Sequence, residues 1–243
     1  MWNTTTYTLI ATLTNHTNAV SGFQLLDDFT LISSSLDGFI NIWNLTSGQV
    51  IMQFNDGSSI YFIKLLANRT LLASGDSNNE VNIWDLSSSN TNPVHILSGH
   101  TDVIYGLEVI DENTLASASN DKTVIVWNLN TWSNKTHFTN HTSAVYCLKL
   151  IGNGIIASGS YIGELFIWNT TNGNLLRSLT GHTDGINRMD LLSVDVLVSV
   201  SWDKTIRMWN TTTGALLKTL TQSNLINSVK MSNNSKIVSS FFF

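Results

Sequence analysis

Charged residues make up only 12 % of this 243-residue chain, about half the roughly 25 % usual in soluble domains. Twelve Lys and Arg face seventeen Asp and Glu, for a net charge of −5. The cations are scattered, and no basic stripe exists to displace counterions from a phosphate backbone, so nucleic acid is not an expected partner. The single cysteine, Cys147, excludes an intramolecular disulfide framework; set in an apolar stretch, it reads as a small buried hydrophobe. No apolar run approaches the ~18 residues of a membrane helix, and no charged-then-apolar leader opens the sequence. A membrane partner is therefore not expected, and the location expected is intracellular, in the cytoplasm. Gly-rich phosphate loops and nucleophile elbows are also missing.

The polar surface is instead Asn, Ser and Thr, and 42 % of the residues are hydrophobic, enough for one sizeable core. Six of the eight tryptophans, Trp2, Trp43, Trp84, Trp127, Trp168 and Trp209, follow one another at spacings of 41, 41, 43, 41 and 41 residues. Five of them close short alternating runs, "FINIW", "EVNIW", "TVIVW", "ELFIW" and "TIRMW". His16, His100, His141 and His182 each stand 27 residues before such a Trp. Within a unit the hydrophobic period is two, in runs of 4 to 7 residues between Gly, Asn, Asp or Ser turns. In the clearest unit, "HTDVIYGLEVI", "TLASAS" and "TVIVW" read as three strands, with a fourth aligned on "THFT". The only proline, Pro93, lies in the two-residue insertion behind the spacing of 43. Four short antiparallel strands cannot bury two faces alone, so neighbouring sheets must stack about an axis.

"LSGH…LASASNDKTVIVWN" and "LTGH…LVSVSWDKTIRMWN" resemble units of the WD-repeat (WD40-type) β-propeller family, and the resemblance covers essentially the whole chain. It implies an all-β propeller of about six four-stranded antiparallel blades, the last incomplete and shared by the two termini. The repeat units run about 14–54, 55–98, 99–138, 139–179, 180–220, and 221–243 with 1–13, as one domain. The C-terminal stretch matches two strands of a sixth unit, and "YTLIATL" near the N-terminus reads as an outer strand. Two closures stay open: a fragment of a longer, seven-bladed protein, which is favoured, or six blades with a thin last one.

The family's structural tetrad of His, Ser or Thr, Asp and Trp is matched three times: His16, Ser33, Asp37, Trp43; His100, Ser117, Asp121, Trp127; and His182, Ser199, Asp203, Trp209. Such a network, with the indole as donor, rigidifies its blade when every member is satisfied. The second unit has Gly57 and Asn78 where His and Asp belong, and the fourth has Ile162 in place of Asp. These two blades are expected to be less rigid. A Ser, His and Asp that recur with a Trp mark framework rather than a nucleophilic triad, which a site needs once. His137, His141 and Cys147 superficially fit metal-ligand spacing, but His141 is framework and no fourth ligand is apparent. No catalytic residue, metal or cofactor is expected.

The resemblance also implies a binding face carrying three positions per unit: three and five residues after the His, and immediately before the Asp. The candidate partner-binding residues are Leu36, Phe62, Tyr105, Tyr146, Tyr161 and Trp202. Leu36, Tyr161 and Trp202 break the rule that turn positions are polar without a core to fill. Exposed aromatic residues are the usual hot-spot chemistry of binding proteins. The expected function is a non-catalytic scaffold or adaptor for a protein or peptide; the alternative is a small ligand, methyl-lysine or a sugar, held by the same rings.

Overall fold

The computed structural model describes residue 1, residues 5–231 and residues 237–241. Trp2, the first repeat marker, and Phe242, a possible sixth-unit position before the Asp, lie outside the described residues. All regular structure among the described residues is β, in 22 strands. Each Trp-closed run becomes the third strand of a four-stranded antiparallel sheet in strict up-and-down order. The first sheet holds β1 (Val20–Leu25), β2 (Thr30–Ser35), β3 (Phe39–Asn44) and β4 (Gln49–Asn55). The second holds β5 (Ile60–Leu65), β6 (Leu71–Asp76), β7 (Glu80–Asp85) and β8 (His95–Ser98). The third runs β9 (Ile104–Asp111), β10 (Thr114–Ser119), β11 (Val124–Asn128) and β12 (Ser133–Phe138). The fourth runs β13 (Val145–Gly152), β14 (Ile155–Ser160), β15 (Leu165–Asn169) and β16 (Leu175–Leu179). The fifth comprises β17 (Ile186–Ser193), β18 (Val196–Ser201), β19 (Thr205–Asn210) and β20 (Leu216–Thr221). A sixth, two-stranded sheet pairs β21 (Ile226–Met231) with β22 (Ile237–Phe241). In "YTLIATL" the described residues hold only an isolated bridge at Leu9, not a strand.

The first strands β1, β5, β9, β13, β17 and β21 neighbour one another in sequence order around a central space. Alternation then works between sheets: Ile32, Ile40 and Phe54 of the first sheet close on Ile63, Leu72 and Trp84 of the second. Ala116, Val124 and Phe138 of the third meet Leu148, Ile156 and Trp168 of the fourth in the same way. Every such core lies between two sheets, so no sheet is stable without its neighbours. This is a β-propeller of about six blades.

The turns between second and third strands all use one geometry. Their last residue sits at positive φ: Gly38 (83°), Asn79 (71°), Lys122 (72°), Gly163 (88°) and Lys204 (66°). At Gly163 a Cβ would also stand 2.8 Å from the His182 carbonyl oxygen, so only glycine fits there. These turns present the residue two positions earlier on one end of the propeller. The amides of Leu36, Ser77, Asn120, Tyr161 and Trp202 each donate to the start of the first strand's lead-in loop, at Ala19, Ser59, Val103, Ala144 and Gly185.

Candidate functional site

Relays of hydrogen bonds brace the sheets that carry the face. In the third, the Trp127 indole donates to Ser117 Oγ at 2.8 Å, and Ser117 Oγ lies 2.7 Å from His100 Nε2. His100 Nδ1 lies 2.8 Å from Asp121. Because Ser117 accepts from the indole it donates to Nε2, which leaves the proton on Nδ1 facing the carboxylate. The fifth sheet repeats this with Trp209, Ser199, His182 and Asp203 at 2.8, 2.7 and 2.8 Å. The first repeats it with Trp43, Ser33, His16 and Asp37 at 2.8, 2.8 and 3.0 Å. Burial alone would raise the Asp121 and Asp203 carboxyls; bonds from the partner His and from Thr123 or Thr205 outweigh it and hold both below the usual range. Burial lowers His182 despite Asp203 beside it, so the ring is neutral.

The two irregular units carry hydrogen-bond relays as well, built from residues other than those at the usual His and Asp places. In the fourth, Trp168 donates to Ser158 (2.8 Å), Ser158 meets His141 Nε2 (2.6 Å), and Glu164 accepts from His141 Nδ1 (3.1 Å). Glu164 occupies the place of Thr123 and Thr205, whose hydroxyls already lie 3.2 Å from the corresponding His Nδ1. A longer carboxylate at that place reaches the ring, so Ile162 need not. In the second unit Asp56, not Gly57, takes the His place: Trp84 donates to Ser74 (2.9 Å), and Ser74 donates to Asp56 (2.8 Å). Asn82 Nδ2 faces both Asp56 and buried Asp76. Burial, then the hydrogen bond and the like charge of Asp76, push the Asp56 carboxyl up to about 7.

This one-residue offset changes which residues stand on the candidate face. Ser21, Tyr61, Tyr105, Tyr146 and Asn187 are the equivalent residues of the first strands, as the pairing of Phe23 with Ser33, Ile63 with Ser74 and Leu107 with Ser117 requires. Tyr61 thus belongs to the face, and Phe62 does not. Phe62 packs against the core between the second and third sheets; a slip of one residue sends a strand side chain to the other side. The signal available in the sequence was the Asp-for-His exchange at Asp56.

On the face, five rings form one edge-to-face row. Tyr61 meets Tyr105 with centroids 5.3 Å apart, and Tyr105 meets Tyr146 at 4.9 Å. Tyr146, Tyr161 and Trp202 then close a triangle with sides of 5.6 to 5.7 Å. Trp202 lies on Gly185, where a Cβ would stand 2.6 Å from the indole. Tyr161 remains 48 % exposed. Leu36 is half-buried and lines a separate hollow with Phe39 and Ser58; it does not join the row. Tyr61, Tyr105, Tyr146, Asn187, Arg188 and Trp202 line an open pocket of about 220 Å³. Arg188 crosses from the fifth sheet to place its guanidinium carbon 5.6 Å from the centroid of the Phe62 ring on the second.

Below the face, a second ring of residues was not foreseen. Eight residues after each His place stand Gln24, Lys64, Glu108, Lys149 and Asp190. Lys64 pairs with Glu108 at 2.5 Å and Lys149 with Asp190 at 2.7 Å, each across neighbouring sheets. Lys230 stands 3.6 Å from Asp190 on the other side. Alternating charge at a fixed offset was the legible signal. His137 is exposed on β12, His141 is held in its relay, and Cys147 is buried with its thiol pushed up to about 12 by burial. No group of three or more His, Cys, Asp or Glu placed to hold a metal occurs among the described residues, and no helix there is long and apolar enough to cross a membrane.

Stacked four-stranded sheets, each locked through a Trp–Ser pair to a His and a carboxylate or to a carboxylate alone, define a β-propeller of the WD-repeat type, and three of its units match that family's model. Residues 7–44, 91–128 and 173–210 match the model of the WD domain, G-beta repeat; these are the three units whose Asp stands at the usual place. Over 129 residues, 49 % of the chain, it is 34 % identical to ribosome biogenesis protein YTM1 of Lodderomyces elongisporus. It is 35 % identical over 127 residues to the ribosome biogenesis protein WDR12 homolog of Nematostella vectensis. Over 125 residues it is 31 % identical to the guanine nucleotide-binding protein subunit beta of Saccharomyces cerevisiae. The matches cover 26 %, 30 % and 29 % of these relatives' own lengths, so the chain matches under a third of each.

Proposed function

We propose that the chain is a non-catalytic platform that receives a protein or peptide segment on the face formed by Tyr61, Tyr105, Tyr146, Tyr161 and Trp202. The observation that carries this reading is the continuous aromatic row, partly exposed and held by rigid relays beneath it. Rigid aromatic side chains give large contact area at low entropic cost and dominate binding energy at the centre of interfaces. The relatives' names, two of them ribosome biogenesis proteins, support an intracellular setting but not a cytoplasmic one. Methyl-lysine is disfavoured because Arg188 lines the pocket, and no carboxylate lines it to offset a second cation.

The test is affinity capture with wild-type protein and a Tyr105→Ala, Tyr161→Ala, Trp202→Ala triple variant, both checked for unchanged circular dichroism. Captured partners are expected to be lost from the triple variant. Full retention by a folded variant refutes the assigned face.

A further inference from the structure

Resting on that reading, we infer that the pocket at the centre of the aromatic row is a carboxylate receptor, built to take one acidic group of a bound peptide onto Arg188. Three observations converge. First, Arg188 has no ion-pair partner among the described residues; its only hydrogen bond there runs from Nη1 to the Asn187 carbonyl at 2.9 Å. Its other donors are left to the pocket and the Phe62 face.

Second, most of the lining groups donate. The Trp202 indole nitrogen can only donate, and it makes no hydrogen bond to a described residue. Neither do the hydroxyls of Tyr61, Tyr105 and Tyr146. Burial first, then the Tyr61 phenol and the Asp102 carboxylate, raises Tyr105, and burial with the Tyr105 and Tyr161 phenols raises Tyr146, so both keep their protons. A partly enclosed site of a guanidinium and neutral O–H and N–H groups stabilises an acceptor that carries negative charge.

Third, size and surroundings select the acid. About 220 Å³ is below the roughly 300–1,000 Å³ of pockets that engulf a drug-sized ligand; it suits one side chain or a chain end. One planar guanidinium fork matches one carboxylate bidentately. The rim carries exposed Lys122 and Lys204 at the turn tips. No carboxylate lines the pocket itself; nearby, Asp102 accepts from the Val103 amide and from Asn120, and exposed Asp184 accepts from the Gly185 amide.

The test selects binders from random heptapeptide libraries, one with amidated and one with free C-termini. Asp or Glu enriched at one fixed position in the amidated library identifies a side-chain carboxylate; enrichment confined to the free-acid library identifies a terminal one. Either is expected, and Arg188→Gln should weaken the selected peptides roughly tenfold or more. Arg188→Lys should retain part of the binding, and changing the peptide's acid to its amide should cost as much as Arg188→Gln, without adding to it. Circular dichroism and thermal midpoints show that both variants fold. Selected peptides without an acid, insensitive to Arg188→Gln but lost with Tyr146→Ala or Trp202→Ala, overturn the carboxylate receptor and leave the platform standing. An empty selection, or peptides insensitive to all these variants, overturns both.

Discussion

A single carboxylate decides whether a framework histidine is satisfied, and Glu164 shows that its place in the sequence is negotiable. The Thr place beside Nδ1 serves as well as the usual Asp place because both lie on the same side of the imidazole. Glu164→Thr leaves buried His141 Nδ1–H with only a hydroxyl 3.2 Å away, as at Thr123 and Thr205, in place of a carboxylate, and the loss of the charge-assisted bond costs about 1 kcal/mol. The double change Ile162→Asp with Glu164→Thr rebuilds the arrangement of the third and fifth sheets. Chemical denaturation is expected to show a lower midpoint for the single variant and recovery in the double. Both burial-lowered rings, His141 and His182, lose their contribution as pH falls through their depressed folded values, when they must charge inside the fold.

At the scale of one blade, the second sheet replaces an imidazole by a carboxyl, and its pH response is inverted. The Asp56 carboxyl, at about 7 in the fold, stands above its ordinary 3.8. The folded chain therefore holds a proton that the unfolded chain gives up. Its stabilisation is complete below pH 3.8 and is lost as pH rises through about 7. Urea midpoints of wild type should accordingly fall relative to Asp56→Asn between pH 5 and pH 8, and a constant difference between the two would refute the assignment. The same blade shows where sequence reading stops. Spacing of Trp84 placed its strands, since the indole marks every third strand. Yet the missing His concealed a one-residue offset, and Phe62 was read for Tyr61. Tyr105, Tyr146, Tyr161 and Trp202 stood in units with an intact His and were legible directly. Arg188 was not, because its reach across the central space depends on three dimensions.

For the whole molecule, the first strands are joined by charge as well as by apolar packing. Lys64–Glu108 and Lys149–Asp190 tie adjacent blades through side chains that are 9 to 27 % exposed. Breaking one partner removes the nearest counter-charge of the other in a half-dry site, although Asp190 keeps Lys230 at 3.6 Å. Lys149→Met is expected to lower the unfolding free energy by about 1–3 kcal/mol. Lys149→Met combined with Asp190→Leu should cost less than the sum of the two single changes, as a double-mutant cycle would show. The tie is partly shielded from solvent, so 0.5 M salt should change the coupling little.

The aromatic row has an optical consequence. Trp43, Trp84, Trp127, Trp168 and Trp209 are buried with their indoles bonded to serines, and they emit from a fixed, dry surrounding. Trp202 lies at the mouth of the pocket with two phenols at 5.6 Å, close enough to collect the light that Tyr146 and Tyr161 absorb. Emission excited through tyrosine therefore weights the aromatic row over the framework, and the molecule carries its own lamp at the place where the proposed partner would dim it.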